Sequence, residues 1–266
     1  MSRVAEKVKV TINTVMRTIG YQIRRFPGPE APSPEPASLP PDFDETDIAL
    51  WEAVAPYTMT SPERVFSLRR AVEYVVKNDV PGDFVECGVW KGGSSMVMAL
   101  TLLRLGDWSR HLYLYDTFEK GWPEASEVDV TFDGVTGHEL YLQAIARGET
   151  EDTLFAKFHA VQAAMDSTEY PPDKVHMIKG RVEETIPDHI PDTIALLRLD
   201  TDWYESTKHE LVHLYPRLSV GGPLIIDDYG WFEGARKATD EYFEEHHVSM
   251  LLHRVDHGGY RIGVKQ

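Results

Sequence analysis

Phe84-Val85-Glu86-Cys87-Gly88-Val89-Trp90-Lys91-Gly92-Gly93-Ser94-Ser95 decides how the rest of the chain is arranged. A short apolar run ends in an acid and glycines, and a helical run opens at Ser94. The backbone therefore turns sharply where a helix N-terminus presents its free N–H groups. Such a turn is either a plain tight turn or a cradle for a ligand.

The spacing narrows the ligand. A dinucleotide site needs G-x-G-x-x-G with the helix dipole aimed at a pyrophosphate. Here the order is E-x-G-x-x-x-G-G, and Glu86 stands where it would repel a phosphate. A cation with an amino acid end, such as S-adenosylmethionine, suits the pattern better: Glu86 can take its ammonium, and the glycine backbone lets it come close. Asp116 closes the next apolar run, Leu112-Tyr113-Leu114-Tyr115, about one β-α unit later, where a ribose-binding carboxylate belongs.

A second pair of segments carries acids. Leu197-Arg198-Leu199-Asp200-Thr201-Asp202-Trp203-Tyr204-Glu205-Ser206-Thr207 and Leu224-Ile225-Ile226-Asp227-Asp228-Tyr229 are both apolar strands that end in carboxylates. The carboxyl ends of parallel strands share one edge, so Asp200, Asp227 and Asp228 are expected to converge beside the cradle. Three such acids repel unless a cation joins them. With only oxygens on offer, the expected ion is hard and divalent, Mg²⁺ before Ca²⁺. Taken singly, Asp202 or Asp228 reads as a turn or capping residue. Trp203, Tyr204 and Tyr229 either line a sugar or adenine face or pack at the strand ends. The eleven histidines show no ligand spacing.

At 266 residues and 42% hydrophobic, the chain can bury a sizeable core as one domain with an appendage. Its formal charge of -16 argues against a nucleic-acid surface and for a small-molecule substrate. The single cysteine, Cys87, rules out an intrachain disulfide and reads as a small buried hydrophobe. No run approaches a membrane span and no signal peptide is evident, so a cytoplasmic location is expected.

Residues 1–26 read as a basic amphipathic helix, a contact for an anionic surface or, preferably, for the domain or a partner subunit of a homo-oligomer. Residues 27–43 are a proline-rich linker, and the folded domain is expected over 44–266. Ser61-Pro62-Glu63 opens a helix that Pro81-Gly82 ends. Strand candidates follow at 84–87, 111–115, 175–178, 194–199, 223–227, 249–253 and 260–264. Helical stretches at 94–105, 182–186, 205–215 and 234–246 lie among them. This alternation predicts an α/β, doubly wound, mainly parallel seven-stranded sheet. The turn Asp256-His257-Gly258-Gly259 predicts an antiparallel edge hairpin. The stretch of about 117–173, with helices at 138–147 and 151–165 and an acidic loop from Trp122 to Gly137, exceeds one crossover and reads as a lid insertion.

Together with Met59-Thr60-Ser61, Asp116-Thr117-Phe118-Glu119 and Lys179-Gly180, these motifs make the chain resemble the macrocin O-methyltransferase (TylF/MycF-like) family over roughly 50–264. The resemblance implies a class I methyltransferase fold, Rossmann-like, with S-adenosylmethionine as donor, Mg²⁺ as cofactor and a deoxysugar hydroxyl of a glycoside as acceptor. By motif it implies that Met59, Thr60, Glu86, Gly88, Gly92, Ser94, Asp116, Thr117, Gly180 and Asp200 contact the donor. It implies further that Asp200, Asp227 and Asp228 hold the metal and that Asp200 is the base. Two other readings stand beside it: a Mg²⁺-dependent catechol-type methyltransferase, and a non-catalytic binding protein that keeps the fold. The second gives no reason to retain three clustered acids.

Overall fold

A computed structural model describes residues 39–118, 125–147 and 155–266. The expected basic helix at 1–26, most of the linker at 27–43, Glu119, the start of the 122–137 loop and the start of the 151–165 helix lie outside the described residues. The chain divides into two units, Met1–Pro41 and Asp42–Gln266, and everything below concerns the second.

The unit opens with a helix that sequence periodicity does not reveal, α1 (Glu45–Val54), started by a capping box in which Asp44 and Asp47 serve each other's backbone N–H groups. Ser61 then caps α2 (Pro62–Lys77), with proline in the first turn. The alternating units follow: β1 (Asp83–Cys87), α3 (Gly93–Leu105), β2 (Leu112–Asp116), α4 (Gly137–Ala146), α5 (Phe158–Asp166), β3 (Val175–Lys179), α6 (Val182–Thr185), β4 (Ile194–Leu199), α7 (Tyr204–Leu214), β5 (Pro223–Ile226), α8 (Glu233–Glu245), β6 (His253–Arg254) and β7 (Arg261–Val264).

The strands form one seven-stranded sheet in the order β3-β2-β1-β4-β5-β7-β6. The first five pair in parallel, and β7 runs antiparallel to both β5 and β6. This is the α/β architecture and the edge hairpin that the alternation predicts. The expected strand at 249–253 is shorter, pairing only at His253 and Arg254. β1, β4 and β5 are almost wholly buried, as continuous apolar runs between two helical layers should be.

The order reverses between β1 and β4, so the crevice at the carboxyl ends of these two strands is the natural ligand site. Register fixes what meets there. Cys87 pairs with Tyr115 and Leu199, and Leu199 pairs with Ile226. The next residues on the four strands, Asp116, Gly88, Asp200 and Asp227, therefore emerge side by side. Backbone bonds continue the ladder: Gly88 N–H donates to Tyr115 at 2.9 Å, Asp200 N–H to Cys87 at 2.8 Å and Asp227 N–H to Leu199 at 2.9 Å.

The described part of the insertion is tied down beside this edge. Asp129 is buried and accepts from the Tyr204 N–H at the start of α7 at 2.7 Å, and from Ser126 N–H at 2.7 Å. Val130 accepts from the Glu233 N–H at the start of α8 at 2.9 Å. The acidic segment that reads as an open loop thus supplies the caps that α7 and α8 lack in their own sequence.

Candidate functional site

The cradle side is built from backbone. Gly88 has φ +83°, and a Cβ there would lie 1.9 Å from the Asp200 carbonyl oxygen, so only glycine lets β1 turn past β4. Gly92 caps α3 at φ +90°. At Gly93 a Cβ would meet the Tyr57 carbonyl oxygen and Thr58 Cβ at 2.6 Å, which brings the segment leading into Met59 and Thr60 against the α3 N-terminus. Met59 is 73% exposed there. Asp116 Oδ2 accepts from the N–H groups of Val89 at 2.8 Å and Trp90 at 2.9 Å, and Oδ1 from Phe118 N–H at 2.8 Å. Thr117 follows it, Gly180 N–H donates to the Asp116 carbonyl at 3.0 Å, and Ser94 lies in the first turn of α3. Asp116 thus also staples the glycine loop to the end of β2.

The acid side is built from side chains. Asp200, Asp227 and Asp228 offer oxygens that all lie within 4.8 Å of one another. Against Asp200 and Asp227 lies Arg198, fully buried next to the carboxyl end of β4. Its Nη1 lies 2.7 Å from Glu86 Oε1 and 2.7 Å from Asp200 Oδ2, and its Nη2 pairs with Asp227 Oδ1. Arg64, on the first turn of α2, pairs with the other Asp227 oxygen and, at 2.6 Å, with Asp256 of the hairpin turn.

Glu86 differs from the sequence reading, which gives it the donor's ammonium. It is directly opposite Arg198 in the β1–β4 register, so both side chains share one face. Its carboxylate is buried, with Oε1 on Arg198 and Oε2 accepting from Ser95 Oγ. Glu86 anchors the arginine.

Electrostatics mark this cluster as short of positive charge. Five carboxylates, Glu86, Asp200, Asp227, Asp228 and Asp256, share two guanidiniums. Burial pushes Glu86 up to about 7 against the pull of Arg198. Burial, then the charge on Asp200, pushes Asp227 up to about 6. Asp228 is held well above the usual carboxylate range by burial and then by Asp202, Asp200 and Asp227. Its Oδ2 is buried with no hydrogen-bond partner among the described residues. An orphaned buried oxygen, a surplus of acid and an all-oxygen donor set fit a hard divalent cation.

Behind the cluster lies Glu210 of α7, fully buried, with Oε1 accepting from Thr201 Oγ1 at 3.0 Å. Burial raises its pKa well above the usual value, and Cys87 beside it is likewise buried with its thiol pushed up. Trp203 packs at the strand end. It is buried against Phe232 with ring centroids 5.0 Å apart, and Gly137 of α4 closes on its ring.

Arg198 and Arg64 hold this site together, and the sequence reading assigned no role to them or to Glu210 behind them. For Arg198 the signal was available: a cation inside the apolar run Ile194-Ala195-Leu196-Leu197-Arg198-Leu199 needs buried acids as partners. Arg64 joins Asp227 only through the fold.

A doubly wound sheet with a glycine cradle at the β1–β4 switch point and an acid cluster beside it has the architecture of the O-methyltransferases. The chain matches the family described as Macrocin-O-methyltransferase (TylF) over residues 41–261, and it belongs to that family. It is an O-methyltransferase.

Relatives agree. The 8-demethyl-8-(2,3-dimethoxy-alpha-L-rhamnosyl)-tetracenomycin-C 4'-O-methyltransferase of Streptomyces olivaceus is 34% identical over 251 residues, 94% of this chain and 88% of that one. The demethyldecarbamoylnovobiocin O-methyltransferase of Streptomyces niveus is 34% identical over 79% of this chain and 76% of its own. Among solved structures, the O-methyltransferase NovP superposes with a TM-score of 0.66 at 33% identity, covering 79% of this chain and 82% of that one. The calicheamicin methyltransferase CalS11, at 19% identity and a TM-score of 0.56, shares the fold.

Proposed function

We propose that this chain transfers a methyl group from S-adenosylmethionine to a sugar hydroxyl of a glycosylated small molecule, with Mg²⁺ held by Asp200, Asp227 and Asp228. The observation that carries the reading is the placement of the acid cluster one strand from the glycine cradle. A donor seated in the cradle and a hydroxyl at the acids would be neighbours. The named relatives that act on rhamnosyl-tetracenomycin and on novobiocin and mycinamicin precursors support the glycoside acceptor.

On this reading Met59, Thr60, Gly88, Gly92, Ser94, Asp116, Thr117 and Gly180 line the donor site, with Asp116 serving the ribose. The donor supplies a methyl group activated on a sulfonium centre. A bound Mg²⁺ would supply Lewis acidity and so lower the pKa of a nearby hydroxyl. Asp200 takes the proton on this reading. It is the most open of the three acids, at 26% side-chain exposure. Arg198 fixes one of its oxygens, so the base is oriented before the acceptor arrives. The acceptor oxygen forms the new C–O bond as the donor's C–S bond breaks, and its proton passes to Asp200.

The test is incubation of the purified chain with S-adenosylmethionine, Mg²⁺ and a panel of rhamnosides and other deoxyglycosides, read by mass spectrometry. The expected result is a product heavier by one methylene, with demethylated donor released and the rate lost on chelation. Turnover that persists in excess chelator would remove the metal from the proposal. Failure to methylate any sugar while methylating catechols would transfer the reading to the catechol class.

A further inference from the structure

We propose that Arg64 is a built-in competitor for the divalent ion: its guanidinium holds an Asp227 oxygen that the ion would take, and Asp256 keeps the guanidinium when Asp227 turns to the ion. The proposal rests on the metal reading above and adds to it the group that sets how tightly the site binds.

The first observation is that both oxygens of Asp227 are already engaged. Arg198 Nη2 holds Oδ1 and Arg64 Nη1 holds Oδ2, on a side chain only 4% exposed. A hard cation needs a carboxylate oxygen among its own ligands, and its charge repels a guanidinium on the same carboxylate. An ion bound at Asp227 therefore acts against one of the two arginines. Arg64 also stands in the field of Asp228: burial opposes its charge, and Asp227, Asp256 and Asp228 raise its pKa against that opposition. Two of the three proposed ligands thus already share its charge.

The second observation is that the two arginines are not equally able to yield. Arg198 is 2% exposed, and Glu86, Asp200 and Asp227 hold it within the cluster. Arg64 is 15% exposed and has a second seat, at the hairpin turn. Its Nε lies 2.6 Å and its Nη2 3.4 Å from the two Asp256 oxygens, a side-on pair that leaves Nη1 to reach Asp227. The seat is fixed independently of Asp227. Asp256 accepts from Ser61 Oγ at 3.1 Å and from Gly259 N–H at 3.0 Å, and the Tyr260 ring centroid lies 5.5 Å from the guanidinium carbon. Gly258 closes the turn on it, since a Cβ there would lie 2.3 Å from Nη2. Releasing Asp227 thus gives up one contact and keeps the two-pronged hold on Asp256.

The affinity for the ion is then a difference between its attraction to the three acids and the attraction of Arg64 to Asp227. Two occupants that disfavour each other do so reciprocally, so weakening either one strengthens the other. Asp256 enters with the opposite sign, because it lowers the loss that Arg64 meets on leaving Asp227.

Calorimetry with Mg²⁺ at pH 8 tests the exchange, with binding of the demethylated donor product as the check that each variant is folded. Arg64→Gln should bind Mg²⁺ at least about 5-fold tighter than wild type, the lower end of coupling between two occupants. Asp256→Asn should bind it at least about 5-fold weaker, because Arg64 then has Asp227 as its remaining acid. Placed in the Arg64→Gln background, Asp256→Asn should matter by less than about 2-fold, since Asp256 acts through Arg64. Arg64→Gln binding no tighter, or Asp256→Asn weakening Mg²⁺ equally in both backgrounds, overturns the proposal. Where Arg64→Gln fails to bind the donor product, Asp256→Asn alone decides: weaker Mg²⁺ binding supports the exchange, and unchanged or tighter binding overturns it. Equal Mg²⁺ affinity in all four proteins would sink this inference and leave the metal reading standing, whereas no Mg²⁺ binding in any of them would sink both.

Discussion

The two sides of the crevice are held by different physics. On the cradle side, glycines with positive φ and the backbone amides of Val89 and Trp90 on Asp116 fix the loop, so the geometry is local and spans one β-α unit. On the acid side, Arg198 and Arg64 hold carboxylates contributed by β1, β4, β5 and the hairpin turn. Backbone bonds keep their direction whatever the ionisation state. An ion network shifts when one charge is added or lost. The first arrangement suits a constant donor, and the second suits a step that moves a proton and takes up a cation.

The comparison predicts unequal damage. Arg198→Met removes the cation from beneath Glu86, Asp200 and Asp227 and leaves buried acids facing one another. Breaking a buried pair by deleting one partner costs about 3–5 kcal/mol. Urea unfolding at neutral pH should show a loss of that order, and added Mg²⁺ should recover part of it by binding the freed acids. A loss below about 1 kcal/mol would mean that the acids are already protonated and the network carries little charge.

Asp200→Asn separates binding from chemistry across the same divide. The amide can still offer one oxygen to a cation but cannot take a proton, so the rate should fall by at least about 100-fold, the scale of a positioned general base. Donor affinity, which rests on the cradle, should stay within a few-fold. A variant within a few-fold of the wild-type rate would move the base elsewhere.

How far each side was legible in the sequence follows from the same contrast. The strand, glycine turn and helix start could be read because their determinants are contiguous: an apolar run, an acid, spaced glycines and a helix N-terminus. The sheet and its edge hairpin could be read because strand and helix patterns alternate. Asp200, Asp227 and Asp228 converge as expected because each ends a parallel strand. What could not be read were partners set by three-dimensional register: Glu86 opposite Arg198, Arg64 reaching Asp227 from a different helix, and Asp129 capping α7 from the insertion. Helix α1 was missed although Asp44 and Asp47 spell its capping box, because its apolar stripe is weak. In each case the decisive contact joins residues far apart in the chain or hides behind a local pattern that has a blander use.

Asp116→Ala sharpens the cradle side. It removes the staple from Val89 and Trp90 and the proposed ribose acceptor together, so donor binding should weaken by about 1–3 kcal/mol, the range for stranding hydrogen-bond donors. Calorimetry with the demethylated donor product measures it, and the affinity of the acid cluster for Mg²⁺ should be little changed. If both affinities fall together, the two sides are one cooperative unit and the contrast drawn above fails.

Glu210→Gln should have the smallest effect on the rate, and its readout is a pH slope. Glu210 lies behind the seam of the two sides, buried against Thr201 and Cys87. Burial raises its pKa, so the folded chain keeps a proton that the unfolded chain releases above the ordinary glutamate value of about 4.3. The unfolded state then binds fewer protons than the folded state, and stability falls as pH rises through that window, by at most about 1.4 kcal/mol per pH unit for one group. Glutamine mimics the neutral acid and has no proton to lose. The variant's stability relative to wild type should therefore rise between pH 5 and pH 8, with contributions from Glu86 and Asp227 common to both proteins. Turnover at neutral pH should stay within about 3-fold, because Thr201 keeps an oxygen acceptor of the same shape. A stability difference that is flat across this range would show Glu210 ionised in the folded protein, and the acid side would then carry one more negative charge than the network described here.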